Sequence, residues 1–282
     1  MNVFASTGGF KDLNFYEAAL ELIKSGCKNI EVSAGLYVEN PKPLLSLLKL
    51  ECNLMLHNYF PPPLDAFVLN LSSDEPEILA RSISLAKAAI DISSHLNSKF
   101  YGVHSGFRIN LGVEDLGRVK TRHQVISKKK ARDIFMKTVS DLGKYATERN
   151  ILLLLENNVL TKANLNFFET NPFLMVQPEE IQNTIMDLDC EVGLLLDLAH
   201  LKISSTTLEF SPQDAISFLN PLVVGYQASE NNSLEDTGSI FNESAWFMSY
   251  LDASKAFITM ELSDCEPSTY HDLEKMLNSF ME

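Results

Sequence analysis

The sequence reads as an α/β protein, a single (β/α)8 TIM barrel spanning residues 1–282. Three observations carry this expectation. Short β-rich runs alternate with helix-patterned stretches along the whole chain, eight of each. Several runs are almost continuously apolar, as strands covered on both faces must be, and Ile151–Leu155 and Val192–Leu196 are the clearest. The first run is followed by Thr7-Gly8-Gly9, which is too short for the glycine-rich phosphate loop of an open doubly wound sheet and lacks its third glycine.

The strands are expected at Val3–Ser6, Asn29–Ser33, Asn53–His57, Phe100–His104, Ile151–Glu156, Val192–Asp197, Leu222–Ala228 and Phe257–Leu262. After the first, Asp12 precedes a stretch whose Phe15, Ala18, Ala19, Leu22 and Ile23 share one face, and Gly26 stands where a helix ends in a left-handed residue. Pro41–Leu50 carries a weaker helical pattern. Ser73-Asp-Glu-Pro76 opens a long helix with Leu79, Ile83, Ala86 and Ile90 at steps of four, three and four. Ser127 precedes another, with Ala131, Ile134, Phe135, Leu142 and Tyr145. Pro178–Leu188, Asn242–Leu251 and Pro267–Phe280 are further helical patterns, and Ser211-Pro-Gln-Asp214 has a capping-box spacing with proline at the first helical position. Two loops are long, Ser105–Ser127 and Asn157–Gln177. No linker, low-complexity tract or short-period repeat divides the chain.

Composition excludes several classes. Hydrophobic residues make up 45% and charged residues 21%, enough for an ordinary core and incompatible with wholesale disorder. The net charge is −14, from 23 basic and 37 acidic residues, which argues against nucleic acid as a partner. No apolar stretch approaches the ~18 residues of a membrane span. The start, Met1-Asn-Val-Phe-Ala-Ser-Thr7, has neither the basic beginning nor the long apolar segment of a secretory signal, which points to the cytoplasm. Cys27, Cys52, Cys190 and Cys265 are far apart with no Cys-x-x-Cys pair, so they read as small core residues rather than a zinc or redox site.

What ends the strands carries the functional signal. His57, His104, Glu156, Asp197 and Glu261 each follow an apolar run directly. In a barrel all carboxyl ends open on one face, so these distant positions converge on one mouth. Taken singly, an acidic residue there is ordinarily a helix cap or a solvated loop residue, and His57 before Asn58-Tyr-Phe-Pro-Pro62 reads equally as a half-buried turn histidine. Taken together, three carboxylates in one mouth repel and raise each other's pKa unless a cation neutralises them, and a divalent metal supplies that cation.

In their order the motifs resemble those of the xylose isomerase-like barrel superfamily, which includes sugar epimerases, isomerases, dehydratases and the endonuclease IV group. The matching pieces are Ile30-Glu-Val-Ser33, Leu56-His-Asn58, Val103-His-Ser-Gly106, Leu155-Glu-Asn157, Leu196-Asp-Leu-Ala-His200 and Met260-Glu261, and they cover nearly the whole chain. The resemblance implies a divalent metal on Glu156, Asp197 and Glu261, with Gln227 standing where relatives have a histidine. An oxygen-rich set favours Mn2+ or Mg2+ over Zn2+, and the amide is a weaker ligand than imidazole. His200, three residues after Asp197, matches a substrate-oxygen contact of single-metal epimerases and a ligand of the nucleases. His57 and His104 match two further histidines of the nucleases and are expected to bind substrate. Glu235-Asp-Thr-Gly238 lacks the later Asp-x-His motif of those nucleases, so a three-zinc cluster is not expected.

The segment Ser105–Lys130 is basic within an acidic chain, holding Arg108, Arg118, Lys120, Arg122, Lys128, Lys129 and Lys130, seven of the 23 basic residues. It offers Arg108 and Arg122 to a phosphate, carboxylate or nucleotide-sugar group of an anionic substrate. The plain alternative is a solvated loop running into a basic first helical turn, where Lys128–Lys130 oppose the dipole. The loop Asn157–Gln177 carries Phe167, Phe168 and Phe173, placed either to stack on a sugar ring or to pack on the rim, while Trp246 and Phe247 read as outer-layer core.

The resemblance implies a metal-dependent isomerase or epimerase of a sugar or sugar derivative, working by proton transfer next to a carbonyl through an enediolate, with Glu156 and Glu261 as acid and base. The alternatives are a dehydratase at the same type of site and a barrel that binds sugar without catalysis. Endonuclease IV-like phosphodiester hydrolysis is disfavoured by the charge and the incomplete ligand set. The partners expected are one small sugar, no nucleic acid, no membrane and, by resemblance, further copies of the chain in a homo-oligomer.

Overall fold

Eight parallel strands close into a barrel in chain order in a computed structural model that describes residues 1–115 and 123–281. They are β1 (Asn2–Ser6), β2 (Asn29–Val32), β3 (Asn53–His57), β4 (Phe100–His104), β5 (Leu152–Glu156), β6 (Val192–Asp197), β7 (Val223–Ala228) and β8 (Phe257–Met260). The barrel closes through β1 and β8, paired from Asn2↔Phe257 to Ala5↔Met260. The helices are α1 (Phe15–Ser25), α2 (Pro41–Leu48), α3 (Pro76–Leu96), α4 (Lys128–Thr147), α5 (Lys162–Phe168), α6 (Pro178–Met186), α7 (Leu198–Leu208), α8 (Pro212–Leu219) and α9 (Pro267–Met281).

Local chemistry accounts for the helix ends. Helix α1 begins at a reciprocal capping box between Asn14 and Glu17 and ends at Gly26, whose φ of +112° only glycine adopts without strain. Ser127 and Ser211 cap α4 and α8 by accepting from Lys130 N and Asp214 N. The basic first turn of α4 is matched by carboxylates: Lys128 with Glu180 at 3.0 Å, Lys129 with Asp133 at 2.6 Å and Lys130 with Asp74 at 2.7 Å.

Three features depart from the sequence expectation. Asn242–Leu251 forms turns and a short 3-10 turn at Met248–Tyr250, not an α-helix. The Asn242 side chain accepts from Ser244 N at 2.9 Å and from Ser244 Oγ at 2.7 Å, offering the backbone a turn in place of a helix. Phe247 is nevertheless buried, as expected of an outer-layer residue. Helices α5 and α7 are additional. Leu198, Ala199, Leu201, Ile203, Ser204, Ser205 and Thr207 are all buried, so α7 shows no polar stripe from which to read it.

Strand alternation builds the site. On β3, β5, β6 and β8 the inward positions run Met55 then His57, Leu154 then Glu156, Leu195 then Asp197, and Phe257 then Thr259. The lower layer is apolar, with Met55, Leu154, Leu195 and Phe257 packed on Phe4, Phe100, Leu152 and Val224. The layer above it is polar and buried: Glu31, His57, Glu156, Asp197, Gln227 and Thr259. Gly102 lies between them, and a Cβ there would come within 2.8 Å of His57 Cδ2 and 2.9 Å of Leu195 Cδ2, so β4 needs glycine to leave room for the His57 ring. A second small core, Val68, Phe107, Ile109, Leu160, Phe168, Phe173 and Val176, joins the two long loops over the mouth. No helix among the described residues is long and apolar enough to cross a membrane.

Candidate active site

Glu156 is the hub of the mouth. Its Oε2 lies 2.7 Å from His57 Nε2 and 3.2 Å from His104 Nε2, and its Oε1 lies 3.2 Å from His200 Nδ1. His200 is placed by the cap of α7: Asp197 Oδ1 accepts from His200 N at 2.6 Å. Asn157 fixes the Asp197 backbone, accepting from its N at 2.8 Å and donating to its O at 3.1 Å. The His200 ring lies with Nδ1 2.9 Å from the Asn157 carbonyl, which can only accept, and with Nε2 3.3 Å from Asp236 Oδ2. Because the Nδ1 proton points to that carbonyl, Glu156 Oε1 is buried with no hydrogen-bond partner among the described residues, despite its nearness to the ring.

Burial and charge split the titratable groups. Burial alone would raise Glu156, but His104, His200 and His57 hold it well below the usual carboxylate range. Burial opposes the His57 cation, yet Glu31, Glu156 and Glu261 lift it to about 10. Burial pushes His104 down to about 4, against the pull of Glu156. Asp197 is pushed up to about 7 by burial, with Glu156 and Asp236 outweighing part of the help from His200. Glu261 is pushed up to about 8 by burial, with His57 opposing and Glu156, Glu31 and Asp197 adding. One carboxyl of the mouth is therefore ionised at neutral pH and another is largely protonated.

On the β7–β8 side, Gln227 Nε2 donates to Glu261 Oε2 at 3.1 Å. Thr259 Oγ1 donates to Glu31 Oε2 at 3.2 Å. Gln227 Oε1 and Glu31 Oε1, like Glu156 Oε1, are buried with no hydrogen-bond partner among the described residues. Ligand atoms gather in two groups, each within 4.8 Å: His57, His104 and Glu156, and Glu156, Asp197 and His200. Buried oxygens lacking any donor are what a cation satisfies, so these residues fit a divalent metal.

A cavity of about 200 Å3 opens beside the hub, between Tyr59, Phe107, Phe173, Asn164, His200 and Asp236. A larger one of about 670 Å3 lies at the amino-terminal end of the strands, beside Lys99, Phe100 and Leu152. Its place at the other end of the barrel separates it from the strand-end side chains, so the smaller cavity is the one that bears on the site.

No protein-family profile and no curated protein matches this sequence. Solved structures do. The chain is similar to a D-tagatose 3-epimerase-like protein, with 16% identity and a TM-score of 0.72 over 99% of this chain and 98% of that one. It is similar to D-psicose 3-epimerase from Clostridium cellulolyticum H10, solved with D-tagatose, with 15% identity and a TM-score of 0.65 over 100% and 96%. A xylose isomerase-like TIM barrel protein from Mycobacterium smegmatis, solved with magnesium, gives 13% identity and a TM-score of 0.69 over 99% and 96%. The chain shares the TIM-barrel fold of these structures.

Within this barrel, the residues singled out from the sequence fall into distinct places. Glu156 and Asp197 meet, and His200, expected as a substrate contact, stands in the same group of ligand atoms. Glu261 and Gln227 form a neighbouring pair outside both groups. His57 hydrogen-bonds Glu156 Oε2 at 2.7 Å, and His104 Nε2 stands 3.2 Å from the same oxygen. Arg108 is a tether: its Nε donates to the Ile126 carbonyl at 3.1 Å, and its Nη1 to the Asn171 carbonyl and to Thr170 Oγ1 at 3.3 Å. The guanidinium thereby joins the two long loops and is absent from the cavity lining. Arg122, with Arg118 and Lys120, lies outside the described residues. Of the loop aromatics, Phe173 lines the cavity, Phe168 is buried in the small core and Phe167 is exposed.

Three residues of the mouth escape sequence reasoning. Glu31 had a signal, a lone carboxylate in the apolar run Ile30-Glu-Val-Ser33. Asp236 has none, because it comes from the loop between β7 and β8. Tyr59 has none either, since its left-handed backbone, φ +64°, is not encoded by a glycine or asparagine.

Proposed function

We propose that this chain is a metal-dependent sugar isomerase or epimerase acting by proton transfer next to a carbonyl. The observation that carries the reading is the gathering of Glu156, Asp197 and His200 ligand atoms within 4.8 Å in one mouth, beside buried oxygens of Glu156, Gln227 and Glu31 that have no hydrogen-bond partner among the described residues. Glu156, Asp197, Gln227 and Glu261 would hold the metal, and their donors are all oxygen, which suits Mn2+ or Mg2+ rather than Zn2+. A divalent cation bound there supplies polarisation of the substrate carbonyl and charge stabilisation of the enediolate.

The residues of the chain divide the remaining work. Glu156, whose Oε2 is held by His57 at 2.7 Å, takes the proton from the carbon beside the carbonyl. Glu261, reaching in from the end of β8, returns a proton, to the opposite face of the same carbon for epimerisation or to the neighbouring carbon for isomerisation. His200 orients a substrate oxygen from the first turn of α7. The similar structures solved with D-tagatose and with magnesium support the substrate class and the cation. The acidic surface and the missing Asp-x-His at Glu235–Gly238 speak against a nuclease.

Solvent exchange tests the reading. In D2O with Mn2+, the chain is expected to place deuterium beside the carbonyl of a ketose with no change of mass from water loss, and Glu156→Gln to slow exchange about 100-fold or more. Loss of water would make the chain a dehydratase. Sugar binding without exchange would make it a binding barrel.

A further inference from the structure

Glu31 is fully buried in the polar layer of the barrel, yet it is neither a ligand nor a proton carrier of the proposed reaction. Its strand sets it beside His57. Glu31 pairs in register with Met55, and His57 is the next inward residue along β3. The orientation of the imidazole brings the two groups to face each other. The Cδ2 edge of the ring is the one that a Cβ on Gly102 of β4 would touch, at 2.8 Å, and Nε2 reaches Glu156 Oε2 on β5 at 2.7 Å. Nδ1 lies on the other edge, away from β4 and toward β2, where Glu31 stands. Both His57 Nδ1 and Glu31 Oε1 are buried with no hydrogen-bond partner among the described residues. Glu31 is itself anchored from β8, its Oε2 accepting from Thr259 Oγ1 at 3.2 Å. The Ser6 hydroxyl, from the register partner of Glu31 on β1, also favours the carboxylate. Burial opposes both charges, and among the neighbouring groups each is the strongest support of the other's charged form.

We infer that Glu31 is a positioning residue of the reaction: anchored by Thr259, its carboxylate draws on the Nδ1 edge of the His57 ring and so keeps Nε2 on Glu156 Oε2. The inference rests on the isomerase or epimerase reading and deepens it. No hydrogen bond joins Glu31 to His57 directly, so the attraction acts by charge across the seam between β2 and β3, in an interior where charge is weakly screened. Without it the ring is held by a single hydrogen bond at one edge. A swing of the ring then carries Glu156 out of line with the carbon whose proton it takes.

Glu31→Gln, which keeps the shape and removes the charge, tests it by two readouts. The first is the Nε2–H proton resonance of His57 in the 15N-histidine-labelled, metal-free chain, identified by its loss in His57→Gln. In Glu31→Gln it is expected to move upfield and to exchange faster with water. The second is deuterium exchange into a ketose with Mn2+ bound, where kcat is expected to fall about tenfold or more while KM and Mn2+ affinity change less than about twofold. Thr259→Val, which removes the anchor and leaves Glu31 in place, should move both readouts in the same direction and serves if the first variant does not fold. An unchanged resonance in a folded variant, or no such resonance in the unaltered chain, overturns the inference. So does a tenfold loss of Mn2+ affinity, which would make Glu31 a ligand. If the unaltered chain exchanges no deuterium, the isomerase or epimerase reading fails on its own, and the His57 resonance still decides whether Glu31 holds the ring.

Discussion

His57 Nε2 and Glu156 Oε2 meet 2.7 Å apart inside the barrel, their side chains 2% and 1% exposed. They come from β3 and β5, with β4 between them. Inward alternation on each strand brings them together, and Gly102 on β4 leaves the space.

Removing one member of such a pair leaves the other charged and buried. His57→Ala is expected to cost about 3–5 kcal/mol in urea unfolding of the metal-free chain. A loss below about 1 kcal/mol would show that the pair does not hold the mouth.

Filling the space on β4 attacks the same contact from the backbone side. Gly102→Ala puts a Cβ within 2.8 Å of His57 Cδ2 and 2.9 Å of Leu195 Cδ2, both in a packed interior. The expected destabilisation is about 1–3 kcal/mol, with deuterium exchange into the sugar falling alongside as His57 shifts. Unchanged stability and exchange would mean that the ring moves aside freely.

The metal-free chain is expected to lose thermal stability as pH rises from about 6.5 to about 9. Asp197 moves from 3.8 to about 7 on folding and Glu261 from 4.5 to about 8. A group raised by folding contributes stability below its unfolded value and loses it as pH climbs through its folded value. His57, raised from 6.5 to about 10, loses stability in the same direction. His104, lowered from 6.5 to about 4, and Glu156, held low, change only at lower pH. Scanning calorimetry of the metal-free chain reads the slope, and Asp197→Asn with Glu261→Gln should flatten it. A melting temperature that climbs over this interval contradicts the assignment.

Arg108 separates a tether from a ligand. Arg108→Ala is expected to raise amide exchange in 105–115 and 157–177 and to cost about 1–2 kcal/mol, with sugar affinity changed less than about twofold. A tenfold loss of affinity with unaltered exchange would return the guanidinium to the substrate.

The strands are legible in the sequence because a barrel strand, covered on both faces, shows as a short apolar run, and their ends fall within two residues of expectation. Helix α7 is not legible, since a helix buried on most of its faces has no stripe. Asn242–Leu251 has helical spacing, but an asparagine that bonds its own turn overrides spacing. At the site, the sequence shows which residues end the strands. It does not show their partners: that three histidines surround Glu156 depends on register across β3, β4 and β5 and on the Asp197 cap. The role of Arg108 depends on a carbonyl at Asn171, distant in sequence, and no local pattern announces such a meeting.

The central claim is that Glu156 and Asp197 share a cation. Titration of Mn2+ into the chelator-stripped chain tests it directly, read by calorimetry and by the paramagnetic relaxation of water. The account predicts one tightly bound ion per chain, lost in Asp197→Asn and in Glu156→Gln while circular dichroism stays unchanged. No binding, or binding indifferent to both substitutions, would contradict it.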